Sequence, residues 1–597
     1  MLTANNNAKI RLNVQKQSLF PLNKANPLYL QGMAEQNGTH KRATHPYKRI
    51  LPNIDDWPIA KLSNQRTWLI DHVVEETLQA ILKKDPSEKA LQNELAKAVY
   101  LEKIRVERPW KTDPSDDKEF WSSVKNKLIK LESHPDNKIE EEKAILKSIL
   151  KRYVSEIVGN FSKRTYNFSE RFVPFAFNRL LNASHSRAFR RLFNNKKDLL
   201  NSIHLVGEIE QLRNLAKDGI IVMVPTHTSN IDSITVGWGI SAIGLPAFFY
   251  GAGMNLFSVR FLAFFMNRLG AYRVDRRKKN AIYLEALKVY STEVIMRGGH
   301  SLFFPGGTRS RSNMIESQLK LGLLGTALEA QRRLIIDSNG ENYKKIYVVP
   351  VNLNYGFVLE APELIDDYLK NVGKERYFVP SDKSSSSYKI VKFMYRFFSA
   401  DADFTISFGR CMDIFGNPVD DNGKSLDNNG NEIDIRDYFK SKGVLKYDTQ
   451  RDAVYTKMLS EGILKAFRKN NVALPENVVA YAAFKTFQKK HHNSDLYSVL
   501  RMAEEFRELT MEELTAAVKK VVKELSKMEH KGEIRLDPIV LAEDVNEMIK
   551  YATKKLGVYH NKRPLLITKS GTIKCQDMKL LLFYHNRLEG YGLEDHV

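Results

Sequence analysis

THTSNIDS, which begins at Thr226, sets His227 and Asp232 five positions apart, a spacing no other of the fourteen histidines shares. If a helix starts in this stretch, a loop imidazole and a carboxylate one turn on lie within hydrogen-bond reach. The carboxylate then fixes the imidazole tautomer and stabilises the imidazolium once it has taken a proton. No enzyme nucleophile accompanies the pair. Ser310 lies in Arg-Ser-Arg rather than in a Gly-x-Ser-x-Gly turn, and Cys411 has no adjacent base. The pattern points to a base that activates a substrate hydroxyl. Two stretches offer cations to go with it. GAYRVDRR (270–277) clusters Arg273, Arg276 and Arg277, and FFPGGTRSRS (303–312) presents Arg309 and Arg311 behind Gly306 and Gly307. Glycine backbone can approach an anion closely, and arginine forks match phosphate geometry. Lys278 and Lys279 read as surface charge. Backbone N–H groups near the histidine are candidates for holding an oxyanion.

The elements that must position these residues follow from the apolar runs. IIVMVP (Ile220–Pro225) has the look of a buried strand, bounded by Asp218-Gly219 and ending just before His227. PAFFYGAG, SLFFPGG, IYVVPVNLNY (Ile346–Tyr355) and DFTISFG are similar, with helical stretches between several of them. This alternation predicts an α/β domain over 196–445, with a mixed central sheet flanked by helices. In such domains the chemistry sits where a strand ends in a polar turn. A polar tail (1–65) and a helical region (66–195) precede it, and a helical region (446–597) follows, in which Thr510 and Glu513 form a capping-box signature. Within the α/β part, 413–435 is rich in Asn-Gly and Asp-Asn steps and reads as surface hairpins. No internal repeat is evident. NGKS (422–425) lacks the first glycine and the preceding strand of a P-loop, and GAG (251–253) lacks the third glycine of a dinucleotide fingerprint.

The 597 residues carry a formal charge of +22, which points to a negative partner. No nucleic-acid motif accompanies it. Two cysteines exclude a disulfide framework and fit a reducing compartment. The opening residues show no apolar stretch that would read as a secretory leader, and no apolar run is long enough to span a bilayer, so contact with a membrane is expected from one side. The aromatic-basic stretch 171–193 and the segment 388–398 are either core or faces resting on anionic lipid.

The ordered set THTSNID, GAYRVDRR, FFPGGTRSRS and VVPVNLNY resembles the four motif blocks of the glycerolipid acyltransferases, over about 200–410. The resemblance implies transfer of a fatty acyl group from acyl-CoA or acyl carrier protein to a glycerol hydroxyl, with neither metal nor cofactor. His227 and Asp232 match the family's catalytic pair. Arg276 matches the second block, and Gly307, Arg309 and Ser310 the third, with Thr308 and Arg311 beside them as substrate-binding residues. Pro350 matches the fourth block, on the acyl side. Chain length and context, including KLLLFYHNRLEG (579–590), are closest to the glycerol-3-phosphate acyltransferases. Lysophosphatidate or dihydroxyacetone phosphate is the alternative acceptor. A non-catalytic membrane-binding relative is the alternative of another class. Expected partners are the acyl donor, the phosphorylated acceptor and an anionic membrane surface, and the expected place is the cytoplasmic face of a membrane. One departure stands out. The family usually has glutamate where this chain has Gly306, so the acceptor differs, another residue such as Glu316 supplies the carboxylate, or activity is lost.

Overall fold

The computed structural model describes residues 47–133, 138–170, 203–257, 260–372, 404–491, 495–542, 544–558 and 560–596. The stretches 171–193 and 388–398 and most of the polar tail lie outside them. Helices α1 (Arg66–Lys84), α2 (Glu88–Val106), α3 (Asp117–Ser133) and α4 (Lys138–Ile157) precede the sheet. Among its strands run α5 (Ile209–Asp218), α6 (Asp232–Ala242), α7 (Ala281–Met296), α8 (Leu321–Asp337) and α9 (Ala361–Val372). After it come α10 (Thr449–Asn470), α11 (Pro475–Lys490), α12 (Met511–His530) and α13 (Met578–His585).

The sheet comprises β1 (Ile203–Gly207), β2 (Ile220–Pro225), β3 (Phe249–Gly253), β4 (Ala271–Val274), β5 (Ser301–Leu302), β6 (Ile346–Tyr355) and β7 (Phe404–Phe408), in the order β1-β7-β6-β2-β5-β3-β4. Strands β2 to β6 run parallel, while β7 is antiparallel to β6 and parallel to β1. The fold is thus the expected α/β arrangement on a mixed sheet. Every residue of IIVMVP is buried. Ile221 and Met223 face one core with α5, α6 and the C-terminal helices, and Ile220, Val222 and Val224 face another with α8 and α10. A continuous apolar run is what a strand covered on both faces requires.

The other helices pack around this sheet. A third core joins α1 to α4 with Phe249 of β3, Tyr272 of β4 and the inner face of α7. The end of the polar lead-in enters this core through Ile54, Trp57 and Ile59. In the C-terminal region the capping box is present: Glu513 N–H donates to Thr510 Oγ1 at 3.1 Å, and Thr510 N–H to Glu513 Oε2 at 2.8 Å. That region also contains short strand pairs that helical periodicity did not indicate.

Two expectations are corrected. Lys278 is not surface charge: it is 3% exposed, its Nζ lies 2.6 Å from Glu156 Oε2, and it sits over the Tyr153 ring. Residues 413–434 contain a repeat of seven residues. Asp413, Asp420 and Asp427 each accept at Oδ1 from the N–H groups two and four residues on, and Gly416, Gly423 and Gly430 follow at φ 88°, 84° and 86°. Each unit is an aspartate-closed turn, with glycine where the backbone turns left-handed. Asn-rich composition hid the period.

Two buried histidines and one half-buried histidine give the fold an acid limit. Burial lowers the pKa of His300 to about 4, of His560 to about 4 and of His585 to about 3, from an ordinary value of 6.5. Between those values the unfolded chain binds more protons than the folded one. Stability is therefore fully present above pH 6.5 and is lost as pH falls towards 4. Thermal unfolding followed from pH 7 to 4.5 is expected to show a falling midpoint. His300→Gln, which keeps an acceptor for the Ile221 N–H now bound at Nδ1, is expected to flatten the fall.

Candidate active site

Strand β2 delivers His227. Thr226 still belongs to the ladder: its N–H donates to Val351 O at 2.9 Å, and its Oγ1 accepts from Leu353 N–H at 3.0 Å. His227 is the next residue, and its Nδ1 lies 2.7 Å from Asp232 Oδ2. Asp232 opens α6 and is 0% exposed. Its Oδ2 also accepts from Thr228 N–H at 2.6 Å and Ser229 N–H at 2.9 Å, and its Oδ1 from the Tyr355 hydroxyl at 2.6 Å. A buried carboxylate is sustainable when its lone pairs are engaged, and the helix N-terminus adds favourable field. With Nδ1–H donated to Asp232, Nε2 is left with its lone pair. The His227 side chain is 20% exposed, and its ring stacks on Phe304 with centroids 4.4 Å apart. The geometry is that of an oriented, reachable base.

The arginine loop is fastened directly to this turn. Ser310 N–H donates to His227 O at 2.7 Å, and His227 N–H donates to Glu316 Oε1 at 2.9 Å. Gly307 makes the loop possible: at φ 77° its N–H closes on Phe304 O at 3.0 Å. Arg309 Nη1 lies 3.3 Å from Glu360 Oε1. Arg311 is half-buried and Thr308 exposed. Further along, Asn313 Nδ2 donates to Phe583 O at 3.1 Å, and Asn586 Nδ2 to Ser312 O at 3.0 Å. Residues some 270 positions away therefore hold the loop from behind.

Gly306 has a structural counterpart. A Cβ at this position would stand 3.2 Å from Glu316 Cγ and 3.4 Å from its Oε1. Glu316 occupies the space a side chain at 306 would enter. Burial raises its pKa, opposed by the hydrogen bond from His227 N–H.

Other expected site residues lie apart from the dyad. Arg276 is exposed on the turn after β4, and two strands, β5 and β3, separate β4 from β2. Arg277, beside it, is held by Asp113 and Asp275. Pro350 is buried mid-strand opposite Val224, where β7 has already ended and no ladder N–H is needed. Its carbonyl accepts from Gly409 N–H at 2.8 Å. The expectation that backbone N–H groups near the histidine hold an oxyanion is overturned. Those of 227, 228, 229 and 230 are committed to Glu316, to Asp232 twice and to Glu360.

Three residues gain a place that sequence reasoning had not assigned. Tyr355 ends β6 on the face that meets α6. Burial raises its pKa well above the ordinary value, with the Asp232 charge adding to the effect, so it stays a phenol that donates to that carboxylate. Glu360, at the start of α9, receives Asn230 N–H at 2.8 Å as well as Arg309. Arg587 is buried and bonds to Asn471, Asn354 and the Leu353 carbonyl. Burial lowers its pKa, against the opposing charge of Glu316. Tyr355→Phe removes one donor from a charged acceptor, at a cost of about 2 kcal/mol of stability. The expected results are a lower thermal midpoint and a kcat reduced by a smaller factor than any change at His227, read by calorimetry and steady-state kinetics.

With this geometry in view, the comparison with known families is direct. A family model described as Acyltransferase matches residues 207–354. The chain carries an acyltransferase-family domain in that stretch, which is well under half its length. The match contains His227, Asp232, Arg309 and Glu316, while Tyr355, Glu360, Asn586 and Arg587 lie beyond it.

Proposed function

We propose that this acyltransferase domain moves a fatty acyl group from an acyl thioester, acyl-CoA or acyl carrier protein, to the sn-1 hydroxyl of glycerol-3-phosphate. The observation that carries the reading is the fastening of the arginine loop to the histidine turn, through Ser310 N–H on His227 O at 2.7 Å. A phosphate held by Arg309 and Arg311 would present a hydroxyl a short glycerol length away, towards Nε2. Arg276 would add positive potential from the turn after β4, two strands removed. Holding the acceptor in this way supplies much of the rate on its own, because the hydroxyl is oriented before it reacts.

In the reaction, Nε2 of His227 takes the hydroxyl proton as the oxygen bonds to the thioester carbonyl carbon. The tetrahedral intermediate collapses, the C–S bond breaks, and the leaving thiolate takes the proton back from the imidazolium. Ester and free thiol leave, and His227 is neutral again. Asp232 stabilises the imidazolium in between. The serines flanking the dyad and the arginine loop are engaged, and both cysteines are buried. Ser229 Oγ donates to Glu360 and Ser310 Oγ to Met314 O, and burial pushes the Cys411 and Cys575 thiols up to about 12. In this account Glu316 takes the role that a glutamate at 306 has in the resembling enzymes. The net charge of +22 supports work at an anionic membrane surface, peripherally and from the cytoplasmic side.

The test is purified protein with one acyl-CoA and either glycerol-3-phosphate, lysophosphatidate or dihydroxyacetone phosphate. Formation of 1-acylglycerol-3-phosphate is expected. Turnover with lysophosphatidate alone would move the assignment to the second acylation, and inactivity with every acceptor would favour a non-catalytic binding role.

A further inference from the structure

Glu360 stands between the two loops that the proposed reaction uses. Its side chain is 8% exposed, and its contacts come from both sides. Oε1 accepts from Asn230 N–H at 2.8 Å and lies 3.3 Å from Arg309 Nη1. Ser229 Oγ lies 3.3 Å from Oε1 and 3.2 Å from Oε2. One carboxylate thus supports the turn that carries His227 and at the same time neutralises the arginine that faces the acceptor. The Asn230 contact is short, and the Arg309 contact, at 3.3 Å, is long and single. That asymmetry suits a partner that can be given up.

Resting on the acyl-transfer reading, we propose that Glu360 is a positioning residue that competes with the acceptor's phosphate for Arg309 and so keeps the phosphate grip weak. A phosphate arriving at Arg309 meets the repulsion of a second anion on the far side of the same guanidinium. Glu360 is buried, so solvent screens the repulsion weakly and its charge costs affinity for acceptor and product alike. The cost has a use. The product carries the same phosphate as the acceptor, so a grip too tight for release would stall turnover, and Glu360 takes Arg309 back as the product leaves. Its contacts to Ser229 and Asn230 are a separate task and need an acceptor oxygen, not a charge.

The two tasks separate by substitution. Glu360→Gln keeps the shape and the acceptor oxygen and removes the charge. Glu360→Ala removes both. Calorimetric titration with inorganic phosphate and with glycerol-3-phosphate is expected to show both ligands binding about three- to ten-fold more tightly to E360Q than to the wild type. In turnover, the KM for glycerol-3-phosphate falls by a similar factor, and kcat falls by a smaller one as release slows. E360A shares the tighter phosphate binding and loses kcat more severely, because the histidine turn has lost its acceptor. It also serves as the second variant should E360Q not fold. In an Arg309→Ala background the E360Q gain in phosphate affinity disappears. A merely structural role would not raise affinity. Equal or weaker phosphate binding in E360Q and E360A, or a gain that persists without Arg309, would overturn the proposal. If the wild type transfers no acyl group while the phosphate titrations behave as stated, the competition stands and the acyl-transfer reading falls.

Discussion

His227→Ala is expected to lower kcat with glycerol-3-phosphate by about 10³-fold, within the range general-base catalysis supplies. The loss should fall on kcat and not on KM. The bonds that tie the arginine loop to this position use the backbone N–H and carbonyl of residue 227, which alanine retains. Phosphate binding therefore survives the substitution, while Asp232 loses one of its four donors, so a fall in the melting temperature comparable to that of Tyr355→Phe is expected. Stacking on Phe304 is lost, which removes apolar contact from a partly exposed ring and costs little. Steady-state kinetics with a single acyl thioester, alongside a thermal melt, reads both quantities. A variant with wild-type kcat would remove His227 from the chemistry.

Asp232→Asn is expected to lower kcat by about 10²-fold or more, and to lower the melting temperature too. Four donors converge on this carboxylate: the ring of His227, Thr228 N–H, Ser229 N–H and the Tyr355 hydroxyl. An amide can turn its oxygen towards the three on Oδ2 and its NH₂ towards Tyr355, whose hydroxyl can rotate to accept. The tautomer of His227 is then preserved, and what disappears is the negative charge beside the imidazolium. The helix loses an anion at its N-terminus at the same time, a stability cost of about 1–2 kcal/mol in a buried setting. The two substitutions thus differ in signature. The larger loss of kcat marks the base, and the smaller loss marks the residue that holds it. An asparagine variant as active as the wild type would detach Asp232 from that role.

How much of this was legible in the chain depends on the range of the interaction. IIVMVP is buried along its whole length because a run of β-branched residues fits a strand covered on both faces, and its end placed His227 correctly at the head of a turn. The His227–Asp232 contact is local, five residues across one helix start, so spacing alone anticipated it. Lys278 was misread for a matching reason. A lysine next to two arginines looks solvated until Glu156, 122 residues earlier, is seen to be its partner. Glu360 had no local signal at all. It follows Tyr355 by a few residues, but its partners are at 229, 230 and 309, and only the β2–β6 pairing brings the two strand ends together. Tyr355 was within reach of argument. By the period of two it shares a face of β6 with Val351 and Leu353, which pack in the same core as Val236 and Ile240 of α6. The Asn586 and Arg587 contacts join the chain's end to the loop at 312 and to β6, and no pattern in one sequence announces a docking of that separation.

The central claim is that the acceptor hydroxyl attacks the thioester directly, without a covalent enzyme intermediate. Rapid mixing of enzyme with acyl-CoA tests this, with thiol release and intact-protein mass followed through the first turnover. The account predicts that thiol appears only when glycerol-3-phosphate is present, in step with the ester, and that the protein gains no acyl mass. A stoichiometric burst of thiol without acceptor, accompanied by an acyl adduct on the chain, would contradict it.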